Sequence, residues 1–173
     1  YRKLYLDAAG ASLHSEPPTS TTEASYDPLD EAQELHFDYR FGEDADLVGH
    51  MKLRLFVSIE QGEDMDIFVA LDKLDQGEKP APFIHWAVFE DAPMAFGWLR
   101  LSRRELDEER STEFQPVLTN RNELKVRPGE VVQADIEILP SGTRFAAGDV
   151  LRLRIKGRDI FTPPKPQLYS RHE

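Results

Sequence analysis

The sequence contains no cysteine, which excludes disulfide bonds and thiolate metal sites from its 173 residues. The same absence favours a reducing compartment such as the cytoplasm, although it does not assign the localisation of the parent protein. No stretch approaches the roughly 18 consecutive apolar residues that mark a membrane-spanning helix. Basic residues are also in short supply, 21 against 32 acidic ones, giving a formal net charge of −11. This balance argues against nucleic acid as a partner, because phosphate binding needs clustered cations.

The chain is long enough to build one domain around a real core, and its apolar fraction of 40% is ordinary for a folded protein. It begins without a signal peptide or an initiator methionine, and Tyr1 leads directly into a strand-like segment. This start predicts that the sequence is part of a longer protein.

Alternation of apolar and polar residues with a period of two dominates the sequence and predicts β-strands. In residues 35–41 the apolar side chains of Leu35, Phe37, Tyr39 and Phe41 all point one way. Residues 66–74 are apolar on both faces, as expected of a central strand. About eight strands are predicted in all, which indicates a β-sandwich or barrel. Their sequences are KLYL, LHFDYRF, MKLRLFVSI, DIFVALDKL, FIHWAVF (83–89), FGWLRL (from Phe96), VVQADIEIL (from Val131) and VLRLRIK (from Val150).

The connecting segments carry turn signals. Proline and glycine in residues 127–130, and Gly148 before the last predicted strand, are typical of tight turns. Residues 15–28 are polar and proline-rich and predict a long surface loop. Residues 102–110 predict the one short helix, with Ser102 as its N-cap. We expect one domain over residues 1–160 and a proline-rich tail over residues 161–173.

No catalytic residue, metal site or cofactor is predicted. The nucleophile elbow G-x-S-x-G is absent, and its nearest approximation, residues 10–14, lacks the second glycine. Ser12 and His14 would share a face of a strand, which we interpret as a polar strand end. No two histidines have the i, i+4 spacing of a zinc-binding helix. The acidic run at residues 62–66 could suggest calcium, but its pattern is not that of an EF-hand loop and favours solvated loops.

Two tryptophans and two arginines are the candidate contact residues. Trp86 lies in an apolar run and is predicted to be a core residue rather than a binding platform. Trp98 precedes Arg100 and Arg103, and a tryptophan beside arginines suits an interface. The alternative for Arg100 and Arg103 is salt bridging within the domain. An exposed tryptophan on a sandwich could also be a platform for carbohydrate.

Several short motifs, in this order and spacing, resemble a known family. They are LYLDA at residues 4–8, SYDP at 25–28, GWLRLSRRELD at 97–107, PGEVV at 128–132 and FAAGDVLRLRI at 145–155. The chain resembles the C-terminal all-β domain of the CocE/NonD-type serine hydrolases. That group includes X-Pro dipeptidyl-peptidases, cocaine-esterase-like enzymes, α-amino-acid ester hydrolases and glutaryl acylases.

The resemblance implies an all-β jelly-roll sandwich of the galactose-binding-like type. It implies that the catalytic serine, histidine and acid lie on a preceding α/β-hydrolase domain, on which this domain packs near the active-site entrance. Residues 97–106 would then be the contact with that domain. Family members usually end in a further strand, so residues 161–173 could be a truncated final strand beside an open sheet edge that favours self-association. The alternative functions are a stand-alone carbohydrate-binding module and a dimerisation module.

Overall fold

A computed structural model describes residues 1–85 and 89–160 of the chain. Within these residues the chain forms ten β-strands and one three-residue 3-10 helix, Leu101–Arg103. The strands are β1 (Tyr5–Asp7), β2 (Ser12–His14), β3 (Leu35–Arg40), β4 (Ala45–Val57), β5 (Asp66–Leu74), β6 (Phe83–His85), β7 (Phe89–Ala92), β8 (Ala95–Arg100), β9 (Val132–Phe145) and β10 (Val150–Lys156).

Six of the strands form one sheet in the order β1-β2-β3-β10-β5-β8, hereafter the large sheet. Strands β4 and β9 form a second, antiparallel sheet, hereafter the small sheet, and β6 and β7 form a separate hairpin. The buried faces of the large and small sheets enclose one apolar core. The fold is therefore the predicted all-β sandwich, while its galactose-binding-like character stays a prediction.

Strand alternation was a reliable guide to the core. In β3, Phe37 is buried while His36 is exposed, as predicted from the alternation. Strand β5 has the predicted bounds and is buried on both faces. Its residues Ile67, Val69 and Leu71 enter the core between the sheets. The predicted turns are also present, with Gly129 at φ 78° and Gly148 at φ 93°, where glycine is needed.

The predicted single strand over residues 83–89 is wrong. Strands β6 and β7 pair with each other antiparallel, with Phe83 opposite Ala92 and His85 opposite Phe89, so the chain reverses between them. Aromatic and β-branched residues favour strand conformation without specifying whether the strand continues or folds back. Residues 86–88, which include Trp86, lie outside the described part of the chain.

Strand β9 extends six residues beyond the predicted end at Leu139, through Pro140. Its register against β4 shifts at this point, with Met51 opposite Ile138 but Gly49 opposite Ser141. Two residues of β9, Leu139 and Pro140, therefore face the single residue His50. This β-bulge accommodates a proline, which has no N–H to donate to the ladder, and lets the strand continue.

The predicted helix over residues 102–110 is also wrong, since only the 3-10 helix Leu101–Arg103 forms. The following backbone pairs with a later segment, with Asp107 N–H donating to Val117 O at 2.8 Å and Thr119 N–H donating to Glu105 O at 3.0 Å. Ser102 does not cap a helix, because its side chain is buried and donates to Asp64. In the described ranges no helix is long and apolar enough to span a membrane.

The loop over residues 15–28 is largely exposed, as predicted, but Tyr26 packs against the core. Its hydroxyl is buried and has no hydrogen-bond partner among the described residues. Burial raises the pKa of Tyr26 from 10.0 to about 12. The hydroxyl therefore resists ionisation in the folded protein more strongly than in the unfolded chain.

A raised tyrosine pKa makes stability fall at alkaline pH. The stabilisation is fully present below pH 10.0, the unfolded value, and is lost as pH rises through about 12. We expect Tyr26→Phe to be more stable than the wild type by about 1 kcal/mol at pH 8, because it removes a buried hydroxyl that has no hydrogen-bond partner among the described residues. Above pH 10 this difference in stability should grow, by a further amount of up to about 2 kcal/mol near pH 12. Unfolding curves at pH 8, 10 and 11 measure this difference, and a constant difference at all three would contradict it.

Candidate functional site

Trp98 lies on the outer face of the large sheet, in its edge strand β8. It pairs in register with Phe68 of β5, and its ring stacks on that of Phe96 with centroids 6.1 Å apart and an interplanar angle of 17°. Phe68 and Phe96 are buried, whereas Trp98 is 59% exposed. The indole is therefore a large apolar surface held against an ordered support, the arrangement typical of a contact residue.

Arg100 lies two residues further along the same face and forms a bidentate ion pair with Asp66. Its Nε donates to Oδ1 at 2.9 Å and its Nη2 donates to Oδ2 at 2.8 Å. These hydrogen bonds and the charge of Asp66 raise the pKa of Arg100 above its usual range. The pair fixes the guanidinium plane while leaving about half of the side chain, 48%, exposed. Salt bridging within the domain thus accounts for the charge of Arg100.

Arg103 occupies the last position of the 3-10 helix and is partly exposed. No ion pair of its side chain is found within residues 1–85 and 89–160. Arg103 therefore lies close in sequence to Trp98 with a charge that the described part of the domain does not neutralise. Trp86, the fourth candidate, falls outside the described residues.

Further arginine–carboxylate pairs cover the same outer face at a distance from Trp98. Arg152 binds Asp38 at 2.7 and 2.8 Å, and Arg154 binds Asp72 with a shortest contact of 2.5 Å. Each pair joins β10 to a neighbouring strand. In the centre of the outer face, the side chains therefore form paired charges, and toward the β8 edge Phe68, Phe96 and Trp98 make the face aromatic.

The acidic side chains of residues 62–66 make structural contacts within the domain. Glu63 pairs with Lys125 at 2.6 Å, Asp66 pairs with Arg100, and Asp64 accepts from both the hydroxyl and the backbone N–H of Ser102, at 2.6 and 2.8 Å. Ser102 is only 1% exposed, so Asp64 satisfies two buried donors. No group of three or more histidine, aspartate or glutamate side chains that could hold a metal ion occurs in the described ranges.

Asp135 is the most deeply buried carboxylate of the small sheet, and a buried acid is a candidate functional group. Its oxygens accept from Arg54 at 2.7 and 2.8 Å and from Lys52 at 3.5 Å. Burial alone would raise the pKa of Asp135, but the hydrogen bonds and charges of Arg54 and Lys52 lower it below its usual value. Asp135 is thus a neutralised anion that links β9 to β4, with a structural role.

Ser12 and His14 share a face of β2, as the sequence predicts, and the Ser12 Oγ lies 2.9 Å from Nε2 of His14. Asp7 approaches the same nitrogen, at 3.8 Å, rather than Nδ1. In a catalytic triad the acid orients the histidine through the nitrogen opposite the serine. This arrangement does not have that geometry and is a polar contact between β1 and β2.

Gly97, between Phe96 and Trp98, has a structural role that the sequence analysis missed. A β-carbon at this position would lie 1.9 Å from the carbonyl oxygen of Glu137 and 3.3 Å from the Cα of Ile138. Strand β8 of the large sheet thus crosses β9 of the small sheet in direct backbone contact. The available signal was a glycine inside a strand pattern, which often marks close backbone approach. This crossing positions Trp98.

The sequence matches a family described as the X-Pro dipeptidyl-peptidase C-terminal non-catalytic domain, over residues 1–168. Two crystal structures of a CocE/NonD family hydrolase from Staphylococcus aureus are similar to the chain, with a TM-score of 0.90 and 40% sequence identity. The match covers 92% of this chain and 29% of that hydrolase.

An α-amino acid ester hydrolase structure shares the fold, with a TM-score of 0.62 and 14% identity over 96% of this chain and 30% of that one. No curated protein sequence matches the chain. The chain spans less than a third of the length of these solved hydrolases, 29% and 30%. With the family matched over nearly its whole length, the chain belongs to the X-Pro dipeptidyl-peptidase C-terminal non-catalytic domains, as found in CocE/NonD-type hydrolases.

Proposed function

We propose that this domain packs on the α/β-hydrolase catalytic domain of the same gene product and helps to shape the entrance to its active site. The observation that carries the proposal is the exposed, supported indole of Trp98 on a domain that spans 29% of a similar hydrolase. Aromatic side chains with a fixed support are enriched at the centres of protein interfaces. Trp98 would be the apolar centre of the contact.

The charges around Trp98 fit the same role. The Arg100–Asp66 pair is already formed within the domain, so it presents a polar rim without the cost of ordering a free arginine. Arg103 supplies a cation that would pair with an acidic group of the catalytic domain or donate hydrogen bonds to its carbonyl groups. Hydrolysis of an ester or of an X-Pro peptide would then proceed on the catalytic domain, where a serine attacks the carbonyl and a histidine acts as base.

The test is kinetic and uses the full-length gene product. We expect Trp98→Ala to lower kcat/KM for ester substrates by about tenfold, because a displaced domain misplaces the entrance that positions the substrate. The matched control is Phe56→Ala, which removes an aromatic side chain that is 70% exposed on the small sheet. Equal kinetics for the wild type and both variants would refute the proposed contact.

The exposure of Trp98 also favours a second candidate, a carbohydrate-binding module. An indole beside a planar, fixed Arg100–Asp66 pair offers a stacking surface flanked by hydrogen-bonding groups. Calorimetric titration with oligosaccharides distinguishes the candidates. Binding that Trp98→Ala removes, with kcat/KM unchanged in that variant, would favour the carbohydrate module over the interdomain contact.

Self-association through an open sheet edge is the third candidate. Strand β4 is 13 residues long and pairs only with β9 within the described residues, so one of its edges is open. Residues 161–173, the predicted truncated strand, lie outside the described part of the chain. Light scattering that shows a monomer at high protein concentration would count against this candidate.

A further inference from the structure

Tyr1 and Lys3, at the start of the described residues, contact a turn that lies more than a hundred positions away in the sequence. The ring of Tyr1 stacks on that of Phe114, with centroids 3.3 Å apart and an interplanar angle of 7°. The Nζ of Lys3 lies 2.8 Å from a carboxylate oxygen of Glu113. These two contacts join residues 1–3 to one side of the turn formed by residues 112–115.

The residue between them faces the other way. The Nη2 of Arg2 donates to the hydroxyl of Tyr39 at 2.7 Å, and the guanidinium lies 5.4 Å from the centroid of that ring. Tyr39 belongs to β3 and therefore to the large sheet. The side chains of residues 1–3 thus alternate as in a strand. That of Arg2 contacts the large sheet, and those of Tyr1 and Lys3 contact the turn.

The turn itself is ordered and attached to the small sheet. The N–H of Thr112 donates to Gln115 O at 2.9 Å, and the N–H of Gln115 donates to the Thr112 hydroxyl at 3.0 Å. The side-chain amide of Gln115 donates to Glu137 of β9 at 3.1 Å. Residues 1–3 therefore bridge the two sheets by contacts of their side chains, all of them at the surface.

We propose that this set of contacts, made by Tyr1, Arg2 and Lys3 with Tyr39, Glu113 and Phe114, is a clamp. The clamp fixes the direction in which the catalytic domain joins the sandwich. The inference rests on the proposed function, in which the catalytic domain is N-terminal to this domain, so that residues 1–3 lie on the side of the chain nearer to it. Lys3 and Glu113 are 68% and 57% exposed, so their ion pair alone contributes little, and the clamp depends on this pair, the Tyr1–Phe114 stack and the Arg2–Tyr39 contact acting together.

Hydrogen exchange and small-angle X-ray scattering of the full-length gene product test the clamp. In the double variant Glu113→Ala/Phe114→Ala we expect amide exchange of residues 2–4 to quicken by about tenfold, because both the stack and the ion pair are lost. Exchange in β5 and β9 should be unchanged. The scattering curve should show a broader distribution of distances between the two domains.

The matched control is Glu63→Ala/Phe56→Ala, which removes another exposed ion pair, Glu63–Lys125, and another exposed phenylalanine. It should leave both readouts at their wild-type values. The charge swap Lys3→Glu/Glu113→Lys should restore slow exchange relative to Lys3→Glu alone. Unchanged exchange of residues 2–4 in the double variant would overturn the clamp. Faster exchange with unchanged scattering would overturn its role in orienting the catalytic domain, while the loss of kcat/KM in Trp98→Ala tests the proposed function separately.

Discussion

Replacing Gly97 by alanine should destabilise the domain by about 3 kcal/mol or more, one of the two largest effects that the structure predicts for a single substitution. The new methyl group would lie 1.9 Å from the carbonyl oxygen of Glu137. That oxygen belongs to the backbone of β9, which cannot rotate away as a flexible side chain would. Strands β8 and β9 would have to separate by about 1 Å, and the packing between the two sheets would be lost with them.

Gly142 provides the matched control, because it is also a strand glycine, in β9, but a β-carbon there would meet no atom within 4 Å. Gly142→Ala should be neutral, or stabilise by about 0.5 kcal/mol through a less flexible unfolded chain. Urea unfolding followed by circular dichroism gives both values. If Gly97→Ala unfolds at the same midpoint as Gly142→Ala, the two sheets do not touch at Gly97.

Phe145→Ala should cost about 3–5 kcal/mol, the usual range for truncating a buried phenylalanine. Phe145 is fully buried at the end of β9, with 0% exposure. Its ring stacks on that of Phe41 with centroids 4.5 Å apart, and the Nζ of Lys73 lies 5.5 Å from its centroid. The substitution would open a cavity where the small sheet meets the end of β3, and these neighbours cannot collapse into it.

Phe56 is the control on the same sheet, since it is 70% exposed in β4. Phe56→Ala should change the free energy of unfolding by less than about 0.5 kcal/mol. Thermal and urea unfolding of the two variants measure the difference directly. Similar losses from both substitutions would mean that the core does not extend to Phe145 as described.

Much of the sandwich was predictable because its strands have one buried and one exposed face, and this leaves a period of two in the sequence. Strands β3, β5, β8 and β10 were found in this way. The extent of β9 was not predictable, since the bulge that admits Pro140 depends on its pairing with β4. The helix predicted over residues 102–110 does not form for a similar reason, because contacts with distant residues decide the local structure. Local capping signals were overruled by the pairing of residues 105–107 with residues 117–119 and by the burial of Ser102.

In the candidate site too, the features that are local in the sequence were predictable and the long-range contacts were not. The position of Trp98 beside Arg100 is a local feature, and the sequence singled out both residues. The roles of Gly97 and Phe114 arise from contacts with Glu137 and Tyr1, which are distant in the sequence. A single sequence carries no signal for such pairs except their residue types. The proposed role of Trp98 depends on a surface outside this domain.

Hydroxyl-radical footprinting of Trp98 tests the central claim most directly. In the domain as described, the indole is 59% exposed and should be oxidised readily. If the domain packs on a catalytic domain through this residue, Trp98 in the native full-length gene product should be oxidised several-fold more slowly than in the 173-residue chain. Phe56, exposed on the other sheet, should react at the same rate in both proteins. Equal oxidation of Trp98 in the two proteins would contradict the claim.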